Sequence, residues 1–268
     1  MIQCNKGCEK KMKFTIVERG DTHSNEVSSY IKNSCIAQGW KYDNENPELI
    51  ISVGGDGTML HSIHDYLDQL DTAAFVGVHT GTLGFLTDYT QQEINLFLHG
   101  LFNKRPVIEE FPLLEIHLPE KNETFYAFNE IRIESVSKTV HLDLYIDGEF
   151  FEKTTGSGIC VSTQNGSTAV NRALCGAVVD SGLQVMQLCE IMPIVHNHHH
   201  SLKNPYIMRK DREIMVKGDT IQYTIGCYDY LSRPLDDVKE IIIRSSEKKV
   251  RFARYRTYSY LHRLKELY

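Results

Sequence analysis

The chain has 268 residues, 41% hydrophobic and 24% charged, with a formal net charge of −6. That mix excludes a disordered tail, a collagen-like repeat and a spanning helix, since no apolar run approaches about 20 residues. The acidic balance argues against general nucleic-acid binding.

The opening stretch, Met1–Lys13, is polar and carries Lys6, Lys10, Lys11 and Lys13, unlike a secretory leader. Cys4 and Cys8 invite a metal reading, but no second Cys or His pair at finger spacing accompanies them. An N-terminal extension is the preferred reading, with Met12 a candidate native start. The seven cysteines are odd in number (Cys4, Cys8, Cys35, Cys160, Cys175, Cys189 and Cys227) and point to a reduced, cytoplasmic chain.

Lys13–Glu18 then predicts a strand, and Ser24 is a candidate N-cap for a helix reaching about Gln38 and closed by Gly39. Glu48–Val53 is a nearly continuous apolar run, as expected of a strand covered on both faces. Gly54–Gly57 turns the chain and Thr58–Leu67 resumes at helical spacing. Ala73–Val78 predicts another buried strand, and Gln91–His99 an amphipathic helix. This alternation predicts an open, largely parallel α/β domain.

After Pro106 the texture becomes strand-rich. Leu113–Leu118, Thr124–Ile133, Thr139–Ile146 and Glu149–Thr154 read as strands, with Asp147-Gly148 a strong hairpin signal. Ser167–Cys175 and Gln187–Met192 read as short helices, and Met215–Gly218, Thr220–Ile225 and Glu240–Arg244 as further strands. The expected division is an α/β domain of residues 1–106 and 243–268 and a mostly antiparallel, β-rich domain of residues 107–242. The tail Val250–Tyr268 carries Arg251, Arg254, Arg256 and Arg263. It is read as a closing strand and helix packed on the first domain rather than a nucleic-acid arm.

Three features carry chemistry. Gly54-Gly55-Asp56-Gly57-Thr58 follows a buried strand and opens a helix. Its glycines permit positive φ and let N–H groups approach an anion, and the helix points its positive end there. Asp56 is repelled by phosphate unless it holds magnesium or takes a proton from an attacking hydroxyl, and a plain Asp-Gly turn is the simpler alternative. Second, Ser162–Ala169 (STQNGSTA) follows the strand Ile159–Val161. It offers hydroxyls, the Asn165 amide and free N–H groups to a ribose, an adenine edge or a phosphate. Ser167 or Thr168 could equally be helix caps. Third, Asn129-Glu130 sits at the centre of the strand-like run Ala127–Ile133. A mid-strand carboxylate and amide in apolar surroundings need partners, either a nucleoside or each other.

In this order, GGDGT at 54–58, HTGTLGF at 79–85, NE at 129–130, STQNGSTA at 162–169 and VRFARYR at 250–256 resemble the NAD kinase family, its short bacterial members most. The resemblance implies a Rossmann-like first domain, a sandwich-like second domain that completes the NAD site and the oligomer interface, and a tail returning to the first. It implies transfer of the terminal phosphoryl group of ATP, or of polyphosphate, to the adenosine-ribose 2′-hydroxyl of NAD. Asp56 is then the activating aspartate, and Gly54, Gly55, Gly57 and Thr58 hold the donor phosphates. Asn129 and Thr168 contact adenine with Phe85 nearby, Glu130 binds ribose, and Asn165 and Ala169 complete the loop. Magnesium, or another divalent cation, accompanies ATP, with no tightly bound cofactor. The implied partners are NAD, ATP and further copies in a homotetramer, with no nucleic acid or membrane.

The chain departs from the family at Gln164, where a proline is usual, and at Val170, where tyrosine is usual. Ser157 replaces an aspartate and Met192-Pro193 replaces Ala-Ser. The aspartate and tyrosine belong to the nicotinamide end, the aspartate coming from a neighbouring subunit. Weaker NAD binding, another adenosine-bearing substrate and a non-catalytic sensor are the alternatives this raises; retention of Asp56 favours catalysis. The tract His196, His198, His199 and His200 is not read as a metal site, because consecutive histidines cannot all face one ion. Trp40 is read as packing, His61 and His64 as surface residues, and Asp229-Tyr230 as a hairpin turn.

Overall fold

The computed structural model of the protein describes residues 11–81, 84–195 and 201–267. The Cys4–Cys8 pair, the histidine tract 196–200, and Thr82 and Leu83 of the HTGTLGF run lie outside the described residues. The chain forms two compact units. One runs to Phe111 and resumes at Val250; the other is Pro112–Lys249.

The first unit is built on a parallel sheet in the order Lys41–Tyr42, Lys13–Glu18, Leu49–Val53, Ala74–His79, with Phe252 paired to Phe75 beyond it. Every residue of Leu49–Val53 and Ala74–His79 is buried, which is why both read as unbroken apolar runs. Phe14, Ile31, Ile51, Val76, Tyr89 and Phe97 form the core. Trp40 meets Phe14 and Phe102 edge-on at 5.9 and 5.6 Å, a packing role.

The first helix, Thr22–Ala37, is capped by Asp21, not Ser24. Gly20 ends the preceding run at φ 91°, so Asp21 is the first capping residue the chain reaches. Its carboxylate accepts from the Ser24 N–H at 2.9 Å and the Ser24 hydroxyl at 2.8 Å. The amphipathic stretch after residue 90 begins as a tight turn, Gln91–Glu93, and continues as the helix Ile94–Asn103.

Strand order places a crevice at one end of this sheet. Lys13–Glu18 and Leu49–Val53 are parallel neighbours in register Ile16↔Ile51. The chain leaves the first toward Lys41–Tyr42 and the second toward Ala74–His79, in opposite directions across the sheet. Such a switch point opens a crevice outside the strands' carboxyl ends, and Gly54–Thr58 lies there.

The second unit contains an antiparallel six-stranded sheet in the order Tyr206–Arg209, Val185–Ile191, Gly158–Thr163, Glu130–Glu134, Ile225–Tyr228, Leu231–Pro234. Glu149–Gly156, Val140–Ile146, Glu213–Lys217 and residues 240–244 form a second antiparallel set. Ile131, Ile159 and Leu188 from the first sheet and Leu144, Val216 and Ile241 from the second share one core. That is a sandwich. Asp147 and Gly148 take φ of 51° and 81°, the paired left-handed conformation of a two-residue hairpin.

Four local expectations are corrected. Gln187–Met192 is not a helix but part of the strand Val185–Ile191, flanked by strands on both sides. Thr220–Ile225 is a tight turn, Ile221–Tyr223, followed by a strand from Ile225. Ser167–Cys175 shrinks to the turns Asn165–Thr168 and Val170–Ala173. The run 124–133 is two strands, Glu123–Ala127 and Glu130–Glu134, so Asn129 lies in a break rather than mid-strand.

Candidate active site

In the first unit, Gly55 caps the helix Asp56–Asp65, which makes Asp56 its first residue. None of Gly54, Gly55 and Gly57 adopts a left-handed φ. The glycine requirement is close approach instead: a Cβ on Gly54 would lie 2.1 Å from Thr58 Oγ1. A cavity of about 550 Å³ opens beside this turn, lined by Glu18, Arg19, Gly55, Gly57, Thr58 and His61 among others. Free N–H groups at a helix start suit it to phosphate oxygens.

The Asp56 carboxylate is held by backbone. Oδ2 accepts from the Phe85 N–H at 2.8 Å and Oδ1 from the Leu86 N–H at 2.9 Å. A Cβ on Gly84 would fall 2.1 Å from Oδ1, so the carboxylate occupies space only glycine leaves open. Burial pushes the Asp56 carboxyl above its ordinary range, outweighing those two N–H bonds and the nearby Arg263 and His79. His79 is itself buried, and burial pushes its imidazole downward, toward the neutral form.

The basic tail is used within this unit. Arg254 bonds Asp88 at 2.5 Å and Glu109 at 2.9 Å, and Arg256 bonds Glu93 at 2.7 Å. The helix Tyr260–Leu267 closes it, and the Tyr260 ring lies 5.7 Å from that of Phe85.

The second unit brings two of the sequence features together. Phe128 and Asn129 leave the sheet because their N–H groups donate to the Asp229 carboxylate, at 2.8 and 2.7 Å. The Asn129 carbonyl accepts from the Thr163 N–H at 2.9 Å. It also abuts Gly166, whose Cβ would lie 2.1 Å away. Thr163 Oγ1 donates to the Phe128 carbonyl at 2.8 Å and accepts from the N–H groups of Asn165 and Gly166, both at 3.1 Å. Asn129 and the STQNGSTA loop are therefore one stitched unit. Neither candidate caps a helix: the short helix from Val170 starts at Ala169 with no side-chain cap, and the Ser167 hydroxyl instead donates to Gln164 O at 2.7 Å and accepts from Val179 N at 3.0 Å. Thr168 and Ala169 remain half-buried.

Glu130 pairs in register with Ser162. It is 4% exposed, and its Oε2 has no hydrogen-bond partner among the described residues. Ser162 Oγ, Gln164 Nε2 and Asn165 Nδ2 are likewise buried and unpartnered. One acceptor and three donors left open in one loop cluster are what a polyol or nucleoside would complete. Burial, and after it the Asp229 carboxylate, pushes the Glu130 carboxyl up to about 7.

Two of the departures from the family pattern are also neighbours. Ser157 donates its N–H to Ile191 O at 2.9 Å, and a Cβ on Gly156 would lie 2.6 Å from Met192 O and 3.0 Å from Pro193 Cα. Met192 takes φ 46° and is 78% exposed. Val170 opens the short turn that ends at Leu174, which packs on Cys160, Cys189 and Ile191.

Sequence reasoning missed Asp229, Leu86, Tyr258 and Arg263. Asp229 has φ 54°, so the hairpin reading is correct, but its carboxylate acts 100 positions away. No local spacing signals such a contact.

Comparison with known proteins returns one family. The ATP-NAD kinase N-terminal domain matches residues 6–105 and the ATP-NAD kinase C-terminal domain residues 128–255. NAD kinase 1 of Bacillus anthracis is 35% identical over 262 residues, covering 95% of this chain and 98% of that protein. NAD kinase 1 of Bacillus subtilis (strain 168) is 36% identical over 262 residues, covering 95% and 97%. Among solved structures, a yeast NADH kinase complexed with NADH aligns at a TM-score of 0.79 and 20% identity, covering 96% of this chain and 87% of that one. An Archaeoglobus fulgidus NAD kinase in complex with ATP aligns at 0.73 and 24%, covering 91% and 94%. Both structures share the fold of this chain.

Proposed function

The chain belongs to the ATP-NAD kinase family, and from that membership we propose how its residues divide the transfer of a phosphoryl group from ATP to NAD. The chain is an NAD kinase, and the acceptor is the 2′-hydroxyl of the adenosine ribose. Asp56 takes the hydroxyl proton as the oxygen attacks the terminal phosphorus; the bond to the leaving ADP oxygen breaks and NADP is formed. A carboxyl raised by burial is a stronger base than a solvated one, and two backbone N–H groups fix its direction.

Gly54, Gly55, Gly57 and Thr58 meet the donor phosphates through the open N–H groups of the helix start. Magnesium enters with the donor as MgATP, shared with phosphate oxygens as that ion prefers. Polyphosphate is a second donor to test. Glu130 accepts from ribose hydroxyls, which is supported by its bare Oε2. Asn129, Thr168 and Phe85 receive the adenine, with Asn165 and Ala169 completing the loop. Ser157 and Val170 stand where the nicotinamide end is recognised. The setting is cytoplasmic, and no helix among the described residues is long and apolar enough to cross a membrane. A homotetramer is the proposed assembly; the exposed apolar residues Phe150, Ile194, Val195 and Ile207 of the second unit support an interface between copies.

The observation that carries this reading is the half-buried Asp56 carboxylate, gripped by two N–H groups at the head of a phosphate-competent helix. The test is NADP formation from NAD and MgATP by the wild type beside Asp56→Asn. Turnover in the wild type and its loss in the variant are expected; equal turnover in both overturns the assignment.

A further inference from the structure

Asp56 is aimed by a loop, and the loop is itself held. Phe85 and Leu86 supply the two N–H groups, yet residues 84–88 form no helix or sheet ladder of their own. A loop that must direct a carboxylate within a few tenths of an ångström needs external supports.

Those supports come from the C-terminal tail. The Tyr258 hydroxyl donates to the carbonyl of Phe85 at 2.7 Å. Arg263, 7% exposed on the last helix, donates from one nitrogen to the carbonyl of Thr87 at 2.9 Å and from the same nitrogen to that of Asp88 at 3.4 Å. Arg256 also donates to the Asp88 carbonyl. The Arg254 guanidinium lies 4.3 Å from the Tyr258 ring centroid and bonds the Asp88 carboxylate, so tyrosine and loop share one clamp. A loop in which one residue offers its N–H to Asp56 and its carbonyl to Tyr258 cannot shift without disturbing both.

We propose that Tyr258 and Arg263 are positioning residues of the phosphoryl transfer: the tail fixes the loop 84–88 so that its N–H groups aim the Asp56 carboxylate at the acceptor hydroxyl. The proposal rests on the kinase reading for its chemistry and on hydrogen bonds alone for its geometry. Both residues bond main-chain carbonyls of the loop, so their removal falls on turnover first, and on NAD affinity only as far as the Phe85 ring moves with its backbone. Buried guanidinium on main-chain carbonyls also suits a clamp, because Arg presents several donors in a fixed plane.

The test uses the full chain and three variants: Tyr258→Phe, Arg263→Met and Arg263→Lys. Tyr258→Phe and Arg263→Met are expected to lower kcat about tenfold or more, with KM for NAD within about twofold, since small misplacements of a reacting group are costly. Arg263→Lys, which keeps a cationic donor, is expected to recover part of the loss. Amide hydrogen exchange gives a readout independent of the reaction. In Tyr258→Phe and Arg263→Met, Phe85 and Leu86 should exchange faster, while amides of the strand Leu49–Val53 stay protected. Unchanged exchange at residues 85 and 86, or a loss expressed in KM alone, overturns the clamp. If the wild type makes no NADP yet the variants speed exchange, the clamp stands and the kinase reading falls.

Discussion

Two carboxylates withdrawn from solvent, half-buried Asp56 in one unit and buried Glu130 in the other, are treated in opposite ways. Both oxygens of Asp56 accept a hydrogen bond from the chain. Glu130 keeps a bare oxygen, with three unpartnered donors in the loop next to it. An unmade buried hydrogen bond costs about 1–3 kcal/mol, so the second arrangement is unfavourable until a ligand completes it. A group that reacts must already be aimed, so its partners belong to the protein. A group that recognises must keep its bonding capacity free. The difference supports the proposed division, in which Asp56 carries chemistry and Glu130 recognition.

The largest test of that contrast removes the charge of each. Asp56→Asn should cost about 10²–10⁴ in turnover, the range of a general base, with NAD affinity by titration calorimetry nearly unchanged. Glu130→Ala should do the reverse, raising KM for NAD by at least about tenfold while kcat changes little. Both variants losing only affinity would abolish the division.

Next in size are two glycines. Gly84→Ala brings a methyl onto the Asp56 carboxylate, and Gly166→Ala brings one onto the Asn129 carbonyl; each contact is 2.1 Å before relaxation. The first should lower kcat about a hundredfold and leave adenosine binding in place. The second should raise KM for NAD and lower the unfolding temperature, because it pushes on backbone that Thr163 and Asp229 hold. Steady-state kinetics and thermal unfolding on both variants separate these outcomes.

Glu130 also predicts a pH dependence. Its folded-state value of about 7 lies above the ordinary 4.5, so between those values the ligand-free fold binds more protons than the unfolded chain. Its contribution to stability is therefore full below about 4.5 and lost as pH rises through 7, roughly 3 kcal/mol at most. Urea unfolding at pH 5 and pH 7.5 should show a shallower fall in Glu130→Gln than in the wild type. Ribose hydroxyls donate to the ionised form, so NAD binding near pH 6 should release protons. Calorimetry in buffers of different ionisation heat should detect that release in the wild type and lose it in Glu130→Gln.

The legible parts of the sequence are those where function and local pattern coincide. Leu49–Val53 and Ala74–His79 are buried on both faces, so apolar runs announced them. GGDGT lies directly after such a strand. The second loop was visible because hydroxyls and amides cluster within eight residues. What was hidden depends on pairing at a distance. The strand Val185–Ile191 carries Gln187 and Glu190, whose side chains bond backbone at Ala177 and the hydroxyl of Thr154. Those polar positions blurred its alternation. The break at Asn129 is caused by Asp229, and the aim of Asp56 by Tyr258 and Arg263, all remote in sequence. At Gly54 the constraint is neither a positive φ nor, in the first place, an anion, but the threonine packed against it.

The smallest expected effect concerns the nicotinamide end, where sequence and geometry can be set against each other. Ser157 is pinned by backbone on both sides, donating to Ile191 O and accepting from Ser135 N, at 2.9 and 2.8 Å. A side-chain change there alters chemistry with little call on the main chain. Ser157→Asp should therefore tighten NAD by about tenfold, one hydrogen bond to a charged group, while ADP affinity stays put because ADP has no nicotinamide. If ADP tightens equally, residue 157 acts through the fold and not on that end of the substrate. If residue 157 meets a neighbouring copy's substrate in a homotetramer, as the family resemblance implies, the gain should fade on dilution below the assembly constant. Persistence at full strength in monomer would place the contact within one chain.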